Sequence, residues 1–475
     1  MSSAEIASLP ENNGNIPPYR YDRAAQARVA LNRVPFYWSR IETSNGYSDY
    51  RWQDATVAQD AARGLQINAI LMNTPAWGTT ASVATGTQVA PPPRLGQKQL
   101  PSRAADPAAL PTAASPETYP PRNLYAPIFT DGDMPGPGKQ INRQNYWARF
   151  VFDTVVKYRG NVRYWEIWNE PDFRPTDQSG WFGFWSGTVA DYVRLLKVGY
   201  IAAKFADPQT TVLMGGMAYY AGPTFFPQAL NLIKSDSMAT ANNHFFDITA
   251  WHWYSRSSQM YVEVMSTRNT LASNGLGGKP IWVNESGVPA WNDPFYATRN
   301  SPYPGSATLD EQASYVIQAF AYGFAAGLDR IFIFQQYDDG NAEAYGLLRN
   351  NNSPRPVYTA YQVVSQYLQS FSSAQLIRDG SVDRVVFSNT PSGKVTVLWN
   401  NSPSDVSYTL RSSAPLARRA YRVDKAGNIT TLNAAAPSYV IALPRATNNN
   451  NHQYNPNDYI IGGSPFFVVE EMPGP

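Results

Sequence analysis

The sequence predicts an α/β protein: a (β/α)8 TIM barrel over residues 1–372, followed by an antiparallel β-sandwich over 373–475. Three observations predict it. Short apolar runs alternate with helix-period segments through about the first 340 residues, the pattern of strands buried on both faces in a parallel sheet. Beyond Ser372 the pattern changes to short alternating segments at close intervals, as in a sandwich. The length of 475 residues exceeds one ordinary core and suits a large barrel with an appendage.

The barrel strands are expected at 30–36, 66–72, 162–168, 211–215, 247–251, 280–284 and 330–334. Helices are expected at 53–64 and 144–160, each ending on glycine, at 188–207 before Pro208, and at 308–327, where Thr308 can cap the N-terminus. Seven strands are legible and the first is not; "AEIASL" (4–9) is the one candidate before Tyr19. From Gly78 to about Asn142 no periodicity appears. A loop this long after the third strand belongs at the C-terminal face, where it either shapes substrate access or decorates the fold. The sandwich strands are expected in "RVVFS", "KVTVLWN", "VSYTL", "RRAYRVD", "NITTL", "YVIAL" and "FFVVEE", with a polar loop at 446–458.

Composition removes several chemistries. The net charge is +2 with no basic block, which gives no support for nucleic-acid or anionic-membrane partners. Cysteine is absent, so disulfides, thiolate metal sites and cysteine nucleophiles are excluded. No uninterrupted apolar stretch approaches 18 residues, the length a spanning helix needs. The three histidines form no H-E-x-x-H pattern, no G-x-S-x-G occurs, and "GLGGKP" (275–280) lacks phosphate-loop spacing. Neither a metal nor a cofactor is expected. The N-terminus has no basic and apolar leader pattern. The expectation is an extracellular or periplasmic protein whose signal lies outside this sequence, with a cytoplasmic protein as the alternative. The 13 Trp and 30 Tyr mostly fill the core, but aromatic faces also stack on sugar rings.

Carboxylates remain. Catalytic groups of a barrel sit at the C-terminal ends of its strands. Glu170, after "VRYWEIWN", and Glu285, after "PIWVN", both meet that condition, and each follows an Asn. Two carboxylates held across a sugar are what glycoside hydrolysis needs, one protonated and one ionised. Glu166 points to the same side as Glu170 on a period-two strand, but deeper, and reads as an interior acid paired with a cation. Asp172 reads as a loop cap, and Trp77 as either a sugar platform or core.

"WEIWNEPD" (165–172) together with "PIWVNESG" (280–287) resembles clan A of the retaining glycoside hydrolases, most nearly family 39 and its bacterial relatives. "RVPFYWSRIE" (33–42), "WHWY" (251–254) and "YGLLRNNNSPRPVYTAYQ" (345–362) add to the resemblance, which spans roughly 25–370. It implies a barrel with a C-terminal sandwich that cleaves glycosidic bonds in an oligo- or polysaccharide by double displacement. Carried over by position, Glu170 is the acid/base and Glu285 the nucleophile. Asn169 hydrogen-bonds the sugar 2-hydroxyl, Arg33 keeps Glu285 ionised, and His252 and Tyr254 line the pocket. The eighth strand ends in "FIFQQYDD" (331–339) where many members carry Trp, so Gln335, Gln336 or Tyr337 is expected to replace that platform. A carbohydrate-binding pseudoenzyme and a transglycosylase are the alternatives. The sugar, the linkage, exo or endo action and the oligomeric state stay open.

Overall fold

The structure is a computed structural model that describes residues 2–4, 16–81, 115–174, 183–296, 301–303, 305–338, 343–450 and 460–472. Its first part alternates strands and helices: β1 (Ser2–Ala4), α1 (Pro18–Gln26), β2 (Leu31–Tyr37), α2 (Trp38–Ile41), α3 (Arg51–Ala61), β3 (Gln66–Met72), α4 (Tyr146–Lys157), β4 (Tyr164–Asn169), α5 (Val189–Ala206) and β5 (Thr211–Gly216). There follow α6 (Phe225–Ser235), β6 (Thr249–Trp253), α7 (Gln259–Ser273), β7 (Ile281–Ser286), α8 (Leu309–Ala325), β8 (Arg330–Ile333) and α9 (Pro356–Tyr367).

These strands form one eight-stranded parallel sheet in the order β5-β4-β3-β2-β1-β8-β7-β6. Its two end strands also meet: Leu213 bridges Ile248 and Met217 bridges Trp251, both in parallel register. Leu31, Tyr164, Leu213, Ala250, Trp282 and Phe332, from six of the strands, and Ile248 just before β6 bury one another in a cluster separate from the main core. Strand side chains alternate, so two residues further along lies the next inward position. In β2, β4, β6 and β7 that position is Arg33, Glu166, His252 and Asn284, and every one is buried. An apolar floor thus carries a polar layer.

The seven expected strands and four expected helices are present, with ends shifted by a few residues. The first strand lies at Ser2–Ala4, between β2 and β8; of the 4–9 candidate, Ala4 belongs to it and residues 5–9 lie outside the described ones. Two serines and an alanine carry no apolar signal. Helix α7 escaped the periodicity reading because its buried side is a narrow stripe of Met260, Val264, Thr267 and Leu271. Thr308 caps α8 as expected, in a reciprocal pair with Glu311.

Of the long 78–142 segment, residues 82–114 lie outside the described ones. Its remaining ends meet, with Thr80 N–H donating to the Pro120 carbonyl at 3.1 Å. Residues 124–133 are tied to α5 by Arg194, which donates to the carbonyls of Leu124 and Ala126 and to Asp133. This half is packed structure, not a free loop.

The chain then forms β9 (Ser373–Asp379), β10 (Val382–Thr390), β11 (Gly393–Asn400), β12 (Val406–Arg411), β13 (Arg419–Asp424), β14 (Ile429–Leu432), β15 (Ser438–Leu443) and β16 (Phe466–Glu471). They make a six-stranded antiparallel sheet, β14-β13-β16-β11-β10-β9, and a two-stranded one, β12-β15. Val382, Leu398, Ala420 and Val468 of the larger sheet pack on Leu410, Tyr439, Ile441 and Leu443 of the smaller. The opposite face of the larger sheet joins the main core: Phe387 packs on Phe324 of α8, and Tyr367 of α9 on Phe467. Between 446 and 458, residues 451–458 lie outside the described ones.

Candidate active site

The polar layer is organised by Arg33, which is wholly buried. Its guanidinium donates to both oxygens of Glu166, at 3.0 and 2.8 Å, and to Glu285 Oε1 at 2.6 Å. Nη2 also donates to Asn169 Oδ1 at 2.9 Å. Glu166 takes two further bonds, from Asn68 Nδ2 at 2.8 Å and from the Gly216 N–H at 3.0 Å. Burial pushes the Glu166 carboxyl up, but the charge and hydrogen bonds of Arg33 outweigh it, and the group lies below its ordinary value. Glu166 is therefore an interior anion whose work is to hold Arg33.

Strand β4 reaches the site through a break in alternation. Ile167 faces outward to α5, so Trp168 should face inward. Instead Trp168 takes φ +75° and packs on Trp185 and on Trp147 of α4. Asn169 takes the inward place. Glu170, at φ +42°, follows it with its N–H on the Gly216 carbonyl. Left-handed backbone costs a non-glycine residue about 1–3 kcal/mol and persists only where its surroundings hold it. Here two tryptophans and the neighbouring strand do so.

His252 and Glu285 enter from β6 and β7. His252 Nδ1 lies 2.7 Å from Glu170 Oε1 and 3.4 Å from Glu285 Oε2. Tyr254 donates its hydroxyl to Glu285 Oε2 at 2.6 Å. Burial, then the charge of Glu285, hold the Tyr254 phenol well above its ordinary value, so it stays a donor. One ligating atom each from Glu170, His252 and Glu285 falls within 4.8 Å of the others. Such a Glu–His–Glu set has donors for a divalent cation. A cation there would have to compete with the Arg33 guanidinium, which already holds Glu285 and stands 3.3 Å from His252 Nε2.

Glu170, Glu285, Arg33, Asn169, His252 and Tyr254 thus come together as one cluster. Trp77 does not join it. Its indole N–H donates to the Glu42 carbonyl, and its ring packs edge-on against Trp38 and Tyr146. Tyr337 is also placed elsewhere: it is fully buried, donates to Asn352 and lies under the Arg20 guanidinium. Gln336 donates to the Arg20 carbonyl. Among the described residues, both amide atoms of the buried Gln335 and the Oε1 of Gln336 lack a hydrogen-bond partner, so these two side chains keep hydrogen-bonding capacity. Phe334, just before it, packs on Tyr254.

Sequence reasoning missed Asn68, Gly216 and Asn284. A Cβ on Gly216 would stand 2.1 Å from His252 Nε2 and 2.7 Å from Asn284 Oδ1, so bare backbone is required there. The paired glycines ending "TVLMGG" were the available signal. Asp172 behaves as a cap: its carboxylate accepts from the N–H groups of Ala218 and Tyr219 at 2.8 and 2.7 Å.

No family model matches the sequence, and no curated protein matches it by sequence. Solved structures do share its fold. A family 39 glycoside hydrolase from Bacteroides cellulosilyticus WH2 superposes with a TM-score of 0.63 at 16% identity, over 99% of this chain and 80% of that one. A family 30 endoxylanase from Clostridium papyrosolvens C71 gives 0.55 at 12% identity, over 98% and 99%. A family 39 enzyme from Xanthomonas axonopodis pv. citri gives 0.55 at 12% identity, over 96% and 92%.

Proposed function

We propose that the chain is a retaining glycoside hydrolase: a closed (β/α)8 barrel with a C-terminal β-sandwich, acting on an oligo- or polysaccharide. One observation carries the reading. Glu170 and Glu285 come from the ends of two different strands, and an oxygen of one lies within 4.8 Å of an oxygen of the other. That closeness suits the roughly 5–5.5 Å of retaining enzymes better than the roughly 6.5–9.5 Å between the carboxyl groups of inverting ones. The shared fold with glycoside hydrolases of families 39 and 30 supports it further.

In this reading the Glu285 carboxylate attacks the anomeric carbon and forms an ester as the glycosidic bond breaks. Glu170 gives its proton to the departing oxygen. Water then attacks the same carbon, Glu170 takes a proton from it, and Glu285 leaves as a carboxylate. Arg33 and Tyr254 share the charge of Glu285 between reactions. Asn169, held by Arg33, is the residue that would hydrogen-bond the sugar 2-hydroxyl.

A panel of aryl glycosides and polysaccharides, with the first-formed anomer read by NMR, tests the proposal. Hydrolysis with retained configuration is expected. Inverted product would overturn the mechanism. Sugar binding without turnover would favour a binding protein, and glycosyl transfer to added acceptors a transglycosylase.

A further inference from the structure

The contact between Arg33 and His252 determines which imidazole nitrogen holds the proton. A guanidinium has only donors and keeps its charge. Arg33 Nη2 lies 3.3 Å from His252 Nε2, and His252 is 1% exposed, so no water layer separates them. Both Nη2 hydrogens go to Glu166 Oε1 and Asn169 Oδ1, so a proton on Nε2 would point at a cation that offers it no acceptor. Nε2 therefore carries no proton, and the proton sits on Nδ1. The opposite edge agrees, because Nδ1 faces two carboxylate oxygens, Glu170 Oε1 at 2.7 Å and Glu285 Oε2 at 3.4 Å.

We propose that Arg33 fixes His252 as the neutral Nδ1–H tautomer, and that His252 is thereby a positioning residue that engages Glu170 through Oε1 and leaves Oε2 to carry the catalytic proton. The inference rests on the glycosidase reading for its catalytic half. His252 exchanges no proton itself. The Oε2 proton passes to the leaving oxygen, Oε2 later recovers one from the attacking water, and Nδ1–H donates to Oε1 throughout. The charged and titratable groups around the ring are Arg33 from β2, Glu166 and Glu170 from β4, Glu285 from β7, and Tyr254 just past β6. Gly216 contributes by lacking the atom that would push Nε2 off Arg33.

The chain has three histidines, so the tautomer is directly readable. With 15N-labelled histidine, long-range proton–nitrogen spectra of the intact protein should show a pyrrole-type Nδ1 and a pyridine-type Nε2 for His252 across the active pH range. His244→Asn and His452→Gln identify the other two signals. A proton on Nε2, or on both nitrogens, would overturn the proposal. In kinetics, His252→Asn can place an amide N–H where Nδ1 stood, and His252→Leu cannot. The leucine variant should lose about 10- to 100-fold in kcat on substrates with poor leaving groups, the scale of one hydrogen bond to a charged group. Its alkaline limb should move to higher pH, and the asparagine variant should recover most of both. Equal loss in the two would make His252 merely structural. If neither variant folds, the wild-type spectrum still decides the tautomer. An Nδ1–H tautomer without turnover would sink the glycosidase reading and leave the tautomer standing; the wrong tautomer with turnover would do the reverse.

Discussion

Arg33 and Glu285 form a buried ion pair at 2.6 Å, and the other edge of the same guanidinium is clamped by both oxygens of Glu166. The Glu285 carboxylate is thus held by an arginine that is itself held from below. Breaking a buried pair by removing one charge costs about 3–5 kcal/mol. Glu166→Gln keeps an acceptor, so a loss of about 3 kcal/mol is expected by chemical denaturation, together with a fall in kcat. The pH dependence has a definite sign. The Glu166 carboxyl is lower in the folded protein than in the unfolded chain. Its stabilisation is complete above about pH 4.5 and is lost as pH falls through the folded value. The wild type should therefore lose Tm more steeply on acidification than Glu166→Gln. Parallel acid limbs would show that Glu166 is not the group responsible.

The roles of the two carboxylates separate by stereochemistry. Glu285→Gly removes the attacking group, so azide should enter from the opposite face and give an inverted glycosyl azide. Glu170→Ala should keep part of its activity on aryl glycosides with good leaving groups, which need little protonation. Azide should then intercept the ester and give a product of retained configuration. The reverse pairing would exchange the assignments.

Gly216→Ala tests the close approach of β5 to the site. The added methyl would stand 2.1 Å from His252 Nε2, so the ring must move. A displacement of about 1 Å can cost about 100-fold in rate. A loss of that size with unchanged far-UV circular dichroism is expected. Near-wild-type kcat/KM would mean that the ring position does not matter.

Asp172 supplies a second pH signature, opposite in sign. Burial, then the charge of Glu170, push its carboxyl up to about 7 against the two amide bonds it accepts. A folded value above the unfolded one means that stability falls as pH rises between about 4 and 7, by about 1.4 kcal/mol per unit, and is level beyond. Asp172→Asn should flatten Tm over that window. An unchanged slope would place the titration elsewhere.

Local chemistry alone settled a good deal. Apolar runs between capped helices marked seven of the eight parallel strands, because a strand buried on both faces must be apolar whatever its neighbours are. Acidic residues at the ends of two such runs marked Glu170 and Glu285, because an acid beside buried tryptophans needs a reason. Tertiary structure decided the rest. Ser2–Ala4 became a strand through pairing with β2 and β8, which supply hydrogen bonds that its side chains do not advertise. Trp168 turned outward because Trp147 and Trp185 offered a pocket, and that shift gave Asn169 the inward place that alternation assigns to Trp168. From sequence, Arg33 was set against Glu285 and Glu166 against a cation; in the fold Arg33 holds both acids, since a guanidinium has five donors in a planar fork. The proton of His252 was set last, by an arginine 219 residues away. A tautomer depends on which groups face the two sides of a ring, and only the closing of the sheet brings those groups together.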